Sequence, residues 1–107
     1  MNTLSCHILD TANGHPAANI EVELYPLGAP DPIARMHTDD DGRARFENTT
    51  LAAGSYTLRF LVAPYCQRVF SNAFFPYVDV HFSVSDTRHI HIPLLLSPYA
   101  YSSYRGS

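Results

Sequence analysis

The clearest structural signal in the chain is the run His89-Ile90-His91-Ile92-Pro93-Leu94-Leu95-Leu96. Successive side chains of a β-strand point to opposite faces, so alternate residues of this run share a face. One predicted face is apolar and suits the interior of a β-sandwich; it consists of Ile90, Ile92, Leu94 and Leu96. His91 then falls on the outward face. Pro93 has no backbone N–H to donate, which favours an edge strand or a bulge near this point.

A strand with the same two faces is predicted near the N-terminus. Leu4, Cys6 and Ile8 are alternate residues and form an inward apolar face. His7 lies on the opposite, outward face, like His91. Because these outward faces mix histidines with apolar residues, we predict that a partner subunit covers them.

Short apolar runs separated by turn residues continue along the chain, a pattern typical of all-β proteins. The separators include Asn13-Gly14, Asp39-Asp40-Asp41-Gly42 and Ala53-Gly54. Strands are predicted for residues 4–9, 20–27, 33–38, 44–46, 55–62, 78–84, 89–96 and 100–104. A short helix is predicted for residues 64–70, because Pro64 suits a first helical turn. The sequence thus predicts one all-β domain, residues 1–107, built as a β-sandwich of two four-stranded antiparallel sheets with one short helix.

The composition excludes several functional classes. A chain of 107 residues that is 46% hydrophobic and 16% charged is typical of a globular domain, not of a disordered segment. The formal net charge of -3, without a basic stripe, argues against nucleic-acid binding. No apolar run approaches the roughly 20 residues that span a membrane. The first residues lack the basic start and apolar core of a secretory signal, so a cytoplasmic location with reduced Cys6 and Cys66 is expected.

The six histidines of the chain raise the question of a metal site. His89 and His91 share a strand face two residues apart, which is compatible with metal binding. The sequence offers no further obvious ligand beside this pair, so neither a metal nor another cofactor is predicted. A serine-protease-like triad is not supported, because no serine lies in a nucleophile-elbow sequence.

Four separated motifs give a more specific indication. They are His7 in the first predicted strand, Arg43 after the Asp39-Asp40-Asp41-Gly42 turn, His91 before an apolar strand end, and Tyr104-Arg105-Gly106-Ser107 at the end. Their order resembles that of the 5-hydroxyisourate hydrolases, purine-degrading members of the transthyretin-like family. The resemblance extends nearly from end to end, with residues 63–77 matching least distinctively. Ala100 and Asn13 depart from the common family pattern, but neither belongs to a proposed catalytic motif.

The resemblance implies a transthyretin-like (prealbumin-like) sandwich and an enzyme that hydrolyses a cyclic amide C–N bond. The substrate would be 5-hydroxyisourate and the product 2-oxo-4-hydroxy-4-carboxy-5-ureidoimidazoline, in urate degradation. The resemblance also implies a homotetramer, a dimer of dimers, with active sites at the dimer–dimer interface. The residues implied in catalysis are His7, Arg43, His91 and Ser107. Those implied in substrate binding are the same four with Tyr104, Arg105 and Gly106.

The chemistry of these side chains suits such a hydrolysis. Histidine, with an ordinary pKa of about 6.5, is suited to general-base catalysis near neutral pH, and either His7 or His91 can fill that role. Arg43 offers planar, permanently charged donors for carbonyl oxygens and developing negative charge. Ser107 offers its hydroxyl and the chain's carboxylate as hydrogen-bonding groups. Arg105 either neutralises a carboxylate or holds the tail in place.

Two other functions fit a small β-sandwich. One is a small-ligand carrier like the transthyretins proper, which bind thyroid hormone, since a fold does not determine a function. The hormone carriers lack the combination of two histidines, an arginine and the tail. The other is an immunoglobulin-like adhesion module, which the absence of tryptophan disfavours. We therefore predict the hydrolase.

Overall fold

The computed structural model of the chain describes residues 2–107 and contains nine strands and one helix in that part. In chain order the elements are β1 (Leu4–Asp10), β2 (His15–Pro16), β3 (Glu21–Pro26), β4 (Ala34–His37), β5 (Arg43–Arg45), β6 (Gly54–Phe60), α1 (Ala63–Phe70), β7 (Val78–Val84), β8 (Ile90–Leu96) and β9 (Tyr101–Ser103). The predicted all-β architecture with one short helix is confirmed. Only the two-residue β2 was not predicted. Within residues 2–107, no helix is long and apolar enough to cross a membrane.

The strands form two sheets. One sheet has the order β4-β3-β6-β7, and all its pairs are antiparallel. The other has the order β2-β1-β8-β9, and β5 also pairs with β1. β5 pairs with residues 5–7 of β1, and β2 pairs with residues 9–10 of the same strand. On its other edge, β1 pairs with β8 along its whole length. This sheet therefore has five strands where four were predicted, because two short strands share one edge of β1.

The prediction that both sheets are antiparallel is wrong for one pair. β1 and β8 run parallel, in a register that pairs Leu4 with Ile90 and Asp10 with Leu96. Alternation of apolar residues fixes the face of a side chain but not the direction of its strand. The second sheet and α1 lie between these strands in the sequence, and so long a connection allows parallel pairing.

The apolar faces of the two sheets form one buried core. The residues predicted to face inward on β1 and β8 are at most 3% exposed: Leu4, Cys6, Ile8, Ile90, Ile92, Leu94 and Leu96. Phe60 and Val78 contribute to the core from the other sheet. Removal of this apolar surface from water is the main stabilising contribution to the fold. Cys6 and Cys66 are free and buried, and burial raises the pKa of the Cys6 thiol to about 12, which makes it a core residue and not a nucleophile.

A buried hydrogen bond connects α1 to the end of β1. Pro64 lies in the first turn of the helix, and the helix ends at Ser71, whose left-handed φ is 62°. The Tyr65 hydroxyl donates to Asp10 Oδ2 at 2.7 Å, and Asp10 is only 1% exposed. Burial tends to raise the pKa of Asp10, but hydrogen bonds from Asn13 and Tyr65 outweigh it, so that the pKa is lowered. The ionised carboxylate thereby fixes the loop after β1.

Of the edge strand or bulge predicted near Pro93, the edge strand is wrong, because Pro93 lies in a central strand. β8 lies between β1 and β9. β9 pairs with β8 as far as Leu94 and Ser103, and the same register resumes at a bridge between His91 and Gly106. Pro93 thus stands where this ladder is interrupted, and the Ser103 hydroxyl donates to its carbonyl oxygen at 2.8 Å. The strand tolerates proline because its missing N–H coincides with the interruption.

Candidate active site

Polar residues gather on the outward face of the sheet that contains β1, β5 and β8. β1 lies between the other two strands and pairs with both. Ser5 of β1 pairs with Arg45 of β5 and His91 of β8, and His7 pairs with Arg43. The strand register therefore brings His7, Arg43 and His91 together on one surface.

This surface contains a cavity of about 240 Å³. Its lining residues are Ser5, Cys6, Arg43, Ala44, Arg45, His89, His91 and Ser107. Arg43, His91 and Ser107, three of the four predicted catalytic residues, thus meet at one cavity. The fourth, His7, lies beside it, with its ring centroid 6.5 Å from that of His91. A larger cleft of about 460 Å³ is lined by His37 and by the other side of Arg43, but not by His7, His91 or Ser107. We therefore assign the chemistry to the smaller cavity.

A tight turn positions Arg43 at the start of β5. Asp39 Oδ1 accepts hydrogen bonds from the backbone N–H groups of Asp41, at 2.9 Å, and Arg43, at 3.0 Å. Gly42 has a left-handed φ of 73°, and a Cβ there would lie 2.5 Å from the carbonyl oxygen of Ile8. Only glycine combines this backbone conformation with so close an approach to β1. The aspartate–glycine turn therefore fixes where Arg43 enters the sheet.

The C-terminal residues pack directly against His91. The Gly106 N–H donates to the His91 carbonyl oxygen at 2.7 Å. A Cβ on Gly106 would lie 2.6 Å from Cδ2 of the His91 ring, so no other residue fits without moving the ring or the tail. This contact carries Ser107 to the cavity.

Tyr104 and Arg105 do not line the cavity that contains His91. Both line a separate cavity of about 290 Å³ that includes residues 80–83. The Arg105 guanidinium binds Asp86 through two contacts of 2.8 and 3.1 Å. The Arg105 guanidinium, with help from Arg88, holds the pKa of the Asp86 carboxyl well below its usual range. This ion pair agrees with both roles that the sequence left open for Arg105, because it neutralises the Asp86 carboxylate and also holds the tail.

Five lining residues of the cavity were not among the predicted site residues, and two of them, Ser5 and His89, form hydrogen bonds in series with His91. Ser5 Oγ lies 2.8 Å from Nδ1 of His91 and 2.7 Å from Nε2 of His89. Ser5 is only 7% exposed. The signal for both was present in the sequence, because alternation puts Ser5 on the face of His7 and puts His89 on the face of His91.

The surroundings of His91 favour its neutral form. Burial, together with the positive charge of Arg43 and the neighbouring His7 and His89, lowers the pKa of His91 below its ordinary value of 6.5. A neutral imidazole can accept a proton at one nitrogen while the other is hydrogen-bonded. Among the described residues, no group of three or more histidine, cysteine or acidic side chains is arranged to hold a metal ion.

The fold and this site define a protein class. The chain belongs to the HIUase/Transthyretin family, whose family model matches residues 4–106. A probable 5-hydroxyisourate hydrolase of Schizosaccharomyces pombe is 40% identical over 112 residues, which cover 97% of this chain and 90% of the relative. A 5-hydroxyisourate hydrolase of Deinococcus radiodurans is 40% identical over 113 residues, which cover 97% of this chain and 95% of the relative. The family predicted from the four motifs is confirmed.

Solved structures show the same fold. The 5-hydroxyisourate hydrolase of Klebsiella pneumoniae aligns with a TM-score of 0.89 at 35% identity, over 100% of both chains. Sea bream transthyretin in complex with thyroxine aligns with a TM-score of 0.86 at 28% identity, over 96% of this chain and 93% of that one. The transthyretin-like fold is therefore confirmed, and the fold is shared by an enzyme and a hormone-binding protein.

Proposed function

We propose that the chain hydrolyses 5-hydroxyisourate to 2-oxo-4-hydroxy-4-carboxy-5-ureidoimidazoline. The observation that carries this proposal is the meeting of Arg43, His91 and Ser107 at one cavity, with His7 beside it. Relatives about 40% identical over nearly the whole chain are named for this hydrolysis, which supports the same substrate. The reaction adds water across a C–N bond without electron transfer, so it requires no redox cofactor.

The proposed substrate suits the side chains of the cavity. 5-Hydroxyisourate is a planar bicyclic acylurea with carbonyl oxygens and ring N–H groups along its edge. The guanidinium of Arg43 donates to carbonyl oxygens, and neutral imidazoles accept from N–H groups. Such complementary hydrogen bonds would orient the ring for attack by water.

His91 is the proposed general base. Burial and adjacent positive charge keep its imidazole neutral near pH 7, and a neutral imidazole takes a proton from an attacking water. Arg43 would stabilise the oxyanion that forms on the attacked carbonyl. His7 would hold the substrate on the opposite side, and the Ser107 hydroxyl would orient the ring.

We also propose that the protein is a homotetramer with sites between its two dimers. The site lies on an outward sheet face, where Arg43 and Ser107 are exposed in a single protomer. A second copy across this face would enclose the substrate and exclude water, and twofold symmetry would place two sites near each other. Light scattering should give the mass of a tetramer, whereas a stable and active monomer would contradict the arrangement.

A hormone-like carrier is the alternative function. The sea bream transthyretin that binds thyroxine has the same fold, but it is less similar in sequence to this chain than the hydrolases are. The cavity of this chain contains two histidines and two arginines but no aromatic ring from tyrosine or phenylalanine. These polar groups suit a small polar substrate better than a large aromatic hormone.

The proposal is tested by substitution of Arg43. 5-Hydroxyisourate is generated freshly from urate with urate oxidase, and its near-UV decay is followed with and without the protein. We expect Arg43→Ala to lose about 10²–10³-fold in kcat, the usual cost of one oxyanion donor, while its circular dichroism spectrum is retained. Arg68→Ala, on the exposed surface of α1, is the matched control and should remain fully active. Normal turnover by Arg43→Ala would remove this residue from the site.

A further inference from the structure

A continuous hydrogen-bonded chain of four side chains runs from the cavity to the protein surface. Ser5 Oγ lies 2.8 Å from Nδ1 of His91 and 2.7 Å from Nε2 of His89. Nδ1 of His89 lies 2.6 Å from Oγ1 of Thr3. Every link is a hydroxyl or an imidazole, and both of these side-chain types can donate and accept a proton.

The solvent exposure of these four side chains increases from His91 and Ser5 to His89 and Thr3 along the row of hydrogen bonds. Ser5 is buried and His91 is half-buried, whereas His89 and Thr3 are exposed. In a single protomer the inner end therefore lies at the proposed site of water attack and the outer end lies at the surface.

We propose that Ser5 and His89 form a proton relay that fixes the tautomer of His91 and exchanges its proton with solvent through Thr3. This inference rests on the proposed hydrolysis, in which His91 takes a proton from water. His89 and Ser5 do not touch the substrate in this scheme; they act through His91 and are positioning residues.

The relay has a defined resting state. His91 Nδ1–H donates to Ser5 Oγ, the Ser5 hydroxyl donates to Nε2 of His89, and Nδ1–H of His89 donates to Thr3 Oγ1. A serine hydroxyl has one proton to donate, so the donor at one end of the relay determines the direction of every hydrogen bond in it. Nε2 of His91 is then left unprotonated and available as the base.

In the proposed reaction, protons are transferred in two steps. In the first step, the C–O bond forms and the attacking water gives a proton to Nε2 of His91. Each proton of the relay moves one hydrogen bond outward, and Thr3 releases one proton to solvent. In the second, the C–N bond breaks, Nε2–H protonates the departing nitrogen, and the relay moves one proton inward from solvent. The resting state is restored, and one water has been added across the C–N bond.

The relay avoids a positive charge on His91 next to Arg43 and Arg45. The charged or titratable residues near His91 are Arg43 and Arg45 on β5, His7 on β1, His89 just before β8, and Ser107 in the tail. A positively charged His91 is disfavoured among the two arginines. Because the relay removes one proton as His91 accepts another, His91 acts first as base and then as acid while remaining neutral.

Four variants test the relay. His89→Gln retains a hydrogen-bonding group but cannot pass a proton along its side chain. Ser5→Ala breaks the relay next to His91, and Ser5→Thr keeps the hydroxyl as the conservative rescue. His81→Gln is the matched control, because His81 makes the same kind of contact, 2.7 Å from its Nδ1 to Thr57 Oγ1, on the other sheet.

The expected results separate a relay from a purely structural role. His89→Gln and Ser5→Ala should lower kcat about tenfold with little change in KM, less than the roughly 10²–10⁴-fold contribution of a general base itself, because both residues act only through His91. Added imidazole buffer should restore much of the lost rate by replacing the relay, and Ser5→Thr and His81→Gln should behave like the wild type. A normal rate and pH profile in His89→Gln, or a loss that no buffer restores, would overturn the proposal.

A measurement on the free protein distinguishes failure of the relay from failure of the proposed function. ¹⁵N NMR of the imidazole nitrogens should show His91 protonated at Nδ1 in the wild type and in His81→Gln, and shifted toward the Nε2-protonated form in Ser5→Ala. This result supports the relay geometry even if the wild type does not hydrolyse 5-hydroxyisourate. An Nε2-protonated His91 in the wild type would overturn the proposed direction of the relay.

Discussion

At the scale of single residues, the protonation of His91 controls the proposed chemistry. An unfolded histidine titrates near 6.5, and burial with positive neighbours lowers the pKa of His91 in the folded protein. The unfolded chain therefore binds more protons at this histidine than the folded one between the folded pKa of His91 and about pH 6.5. The free energy of unfolding therefore decreases as the pH falls from about 6.5 through the folded pKa of His91. Above that range, the titration of His91 does not change the stability.

We predict that the pKa of His91 rises in Arg43→Gln. The substitution removes a positive charge that disfavours the imidazolium form, so protonation becomes easier. An NMR titration of the His91 ring in both proteins measures this shift, and Arg68→Gln provides the control. An Arg43→Gln titration that coincides with the wild type would show that Arg43 does not act electrostatically on His91.

Gly106 supports His91 through close contact. Gly106→Ala would place a Cβ 2.6 Å from the ring, so either the ring or the tail must move. We predict a loss of about tenfold to a hundredfold in kcat, the scale expected for misplacement by about 1 Å, with a nearly unchanged melting temperature. Gly14→Ala is the control for activity: a Cβ there meets no atom within 4 Å, and the left-handed strain at its φ of 75° lies away from the cavity. Equal activity of the two variants would argue against this contact.

At the scale of secondary structure, the site depends on how β5 joins β1. The turn before β5 contains Gly42, where both the backbone conformation and the distance to Ile8 require glycine. The Ile8 N–H donates to the Gly42 carbonyl oxygen at 2.8 Å, so displacement of the turn also breaks a bond to β1. The same turn carries Arg43 to the cavity.

We predict that Gly42→Ala destabilises the fold more than Gly28→Ala does. Gly28 has a similar φ of 79° but no atom within 4 Å of its Cβ position, so its substitution costs only the left-handed strain of about 1–2 kcal/mol. Gly42→Ala adds overlap with Ile8, which should cost about 1–3 kcal/mol more. Urea unfolding of both variants gives the difference, and equal midpoints would contradict it.

The sequence predicts faces well and strand directions poorly. Alternation placed Cys6 and Ile92 in the core and His7 and His91 outside, because a side chain's face depends only on its position along its own strand. The parallel pairing of β1 and β8 depends on the path of the chain between them, which local patterns do not encode. Pro93 was misassigned for the same reason: whether its missing N–H matters depends on a neighbouring strand.

At the scale of the whole molecule, the tail is held at two points. Gly106 pairs with His91 beside the cavity, and Arg105 binds Asp86 in the loop between β7 and β8. The sequence predicted that the tail reaches the site, because the motif was intact. It did not predict Asp86, because a contact between two loops leaves no periodic signal.

We predict that Asp86 and Arg105 act as one unit. Asp86→Asn and Arg105→Gln should each lower kcat/KM by about threefold to tenfold, because Ser107 is then less well positioned. The double variant should be no worse than either single variant, as expected for partners in one interaction. Arg88→Gln, which also loses a contact to Asp86 but lies outside the tail, should have little effect. Additive losses in the double variant would show that the residues act separately.

The most direct test of the proposed hydrolysis is the rate at which freshly made 5-hydroxyisourate disappears in the presence of the wild type, His7→Ala and His91→Ala. The substrate also decays unaided, so each rate is compared with a protein-free blank. We predict rapid decay with the wild type and decay near the blank with His7→Ala and His91→Ala, while both variants remain folded. Wild-type decay no faster than the blank would contradict the hydrolase assignment and favour a carrier function.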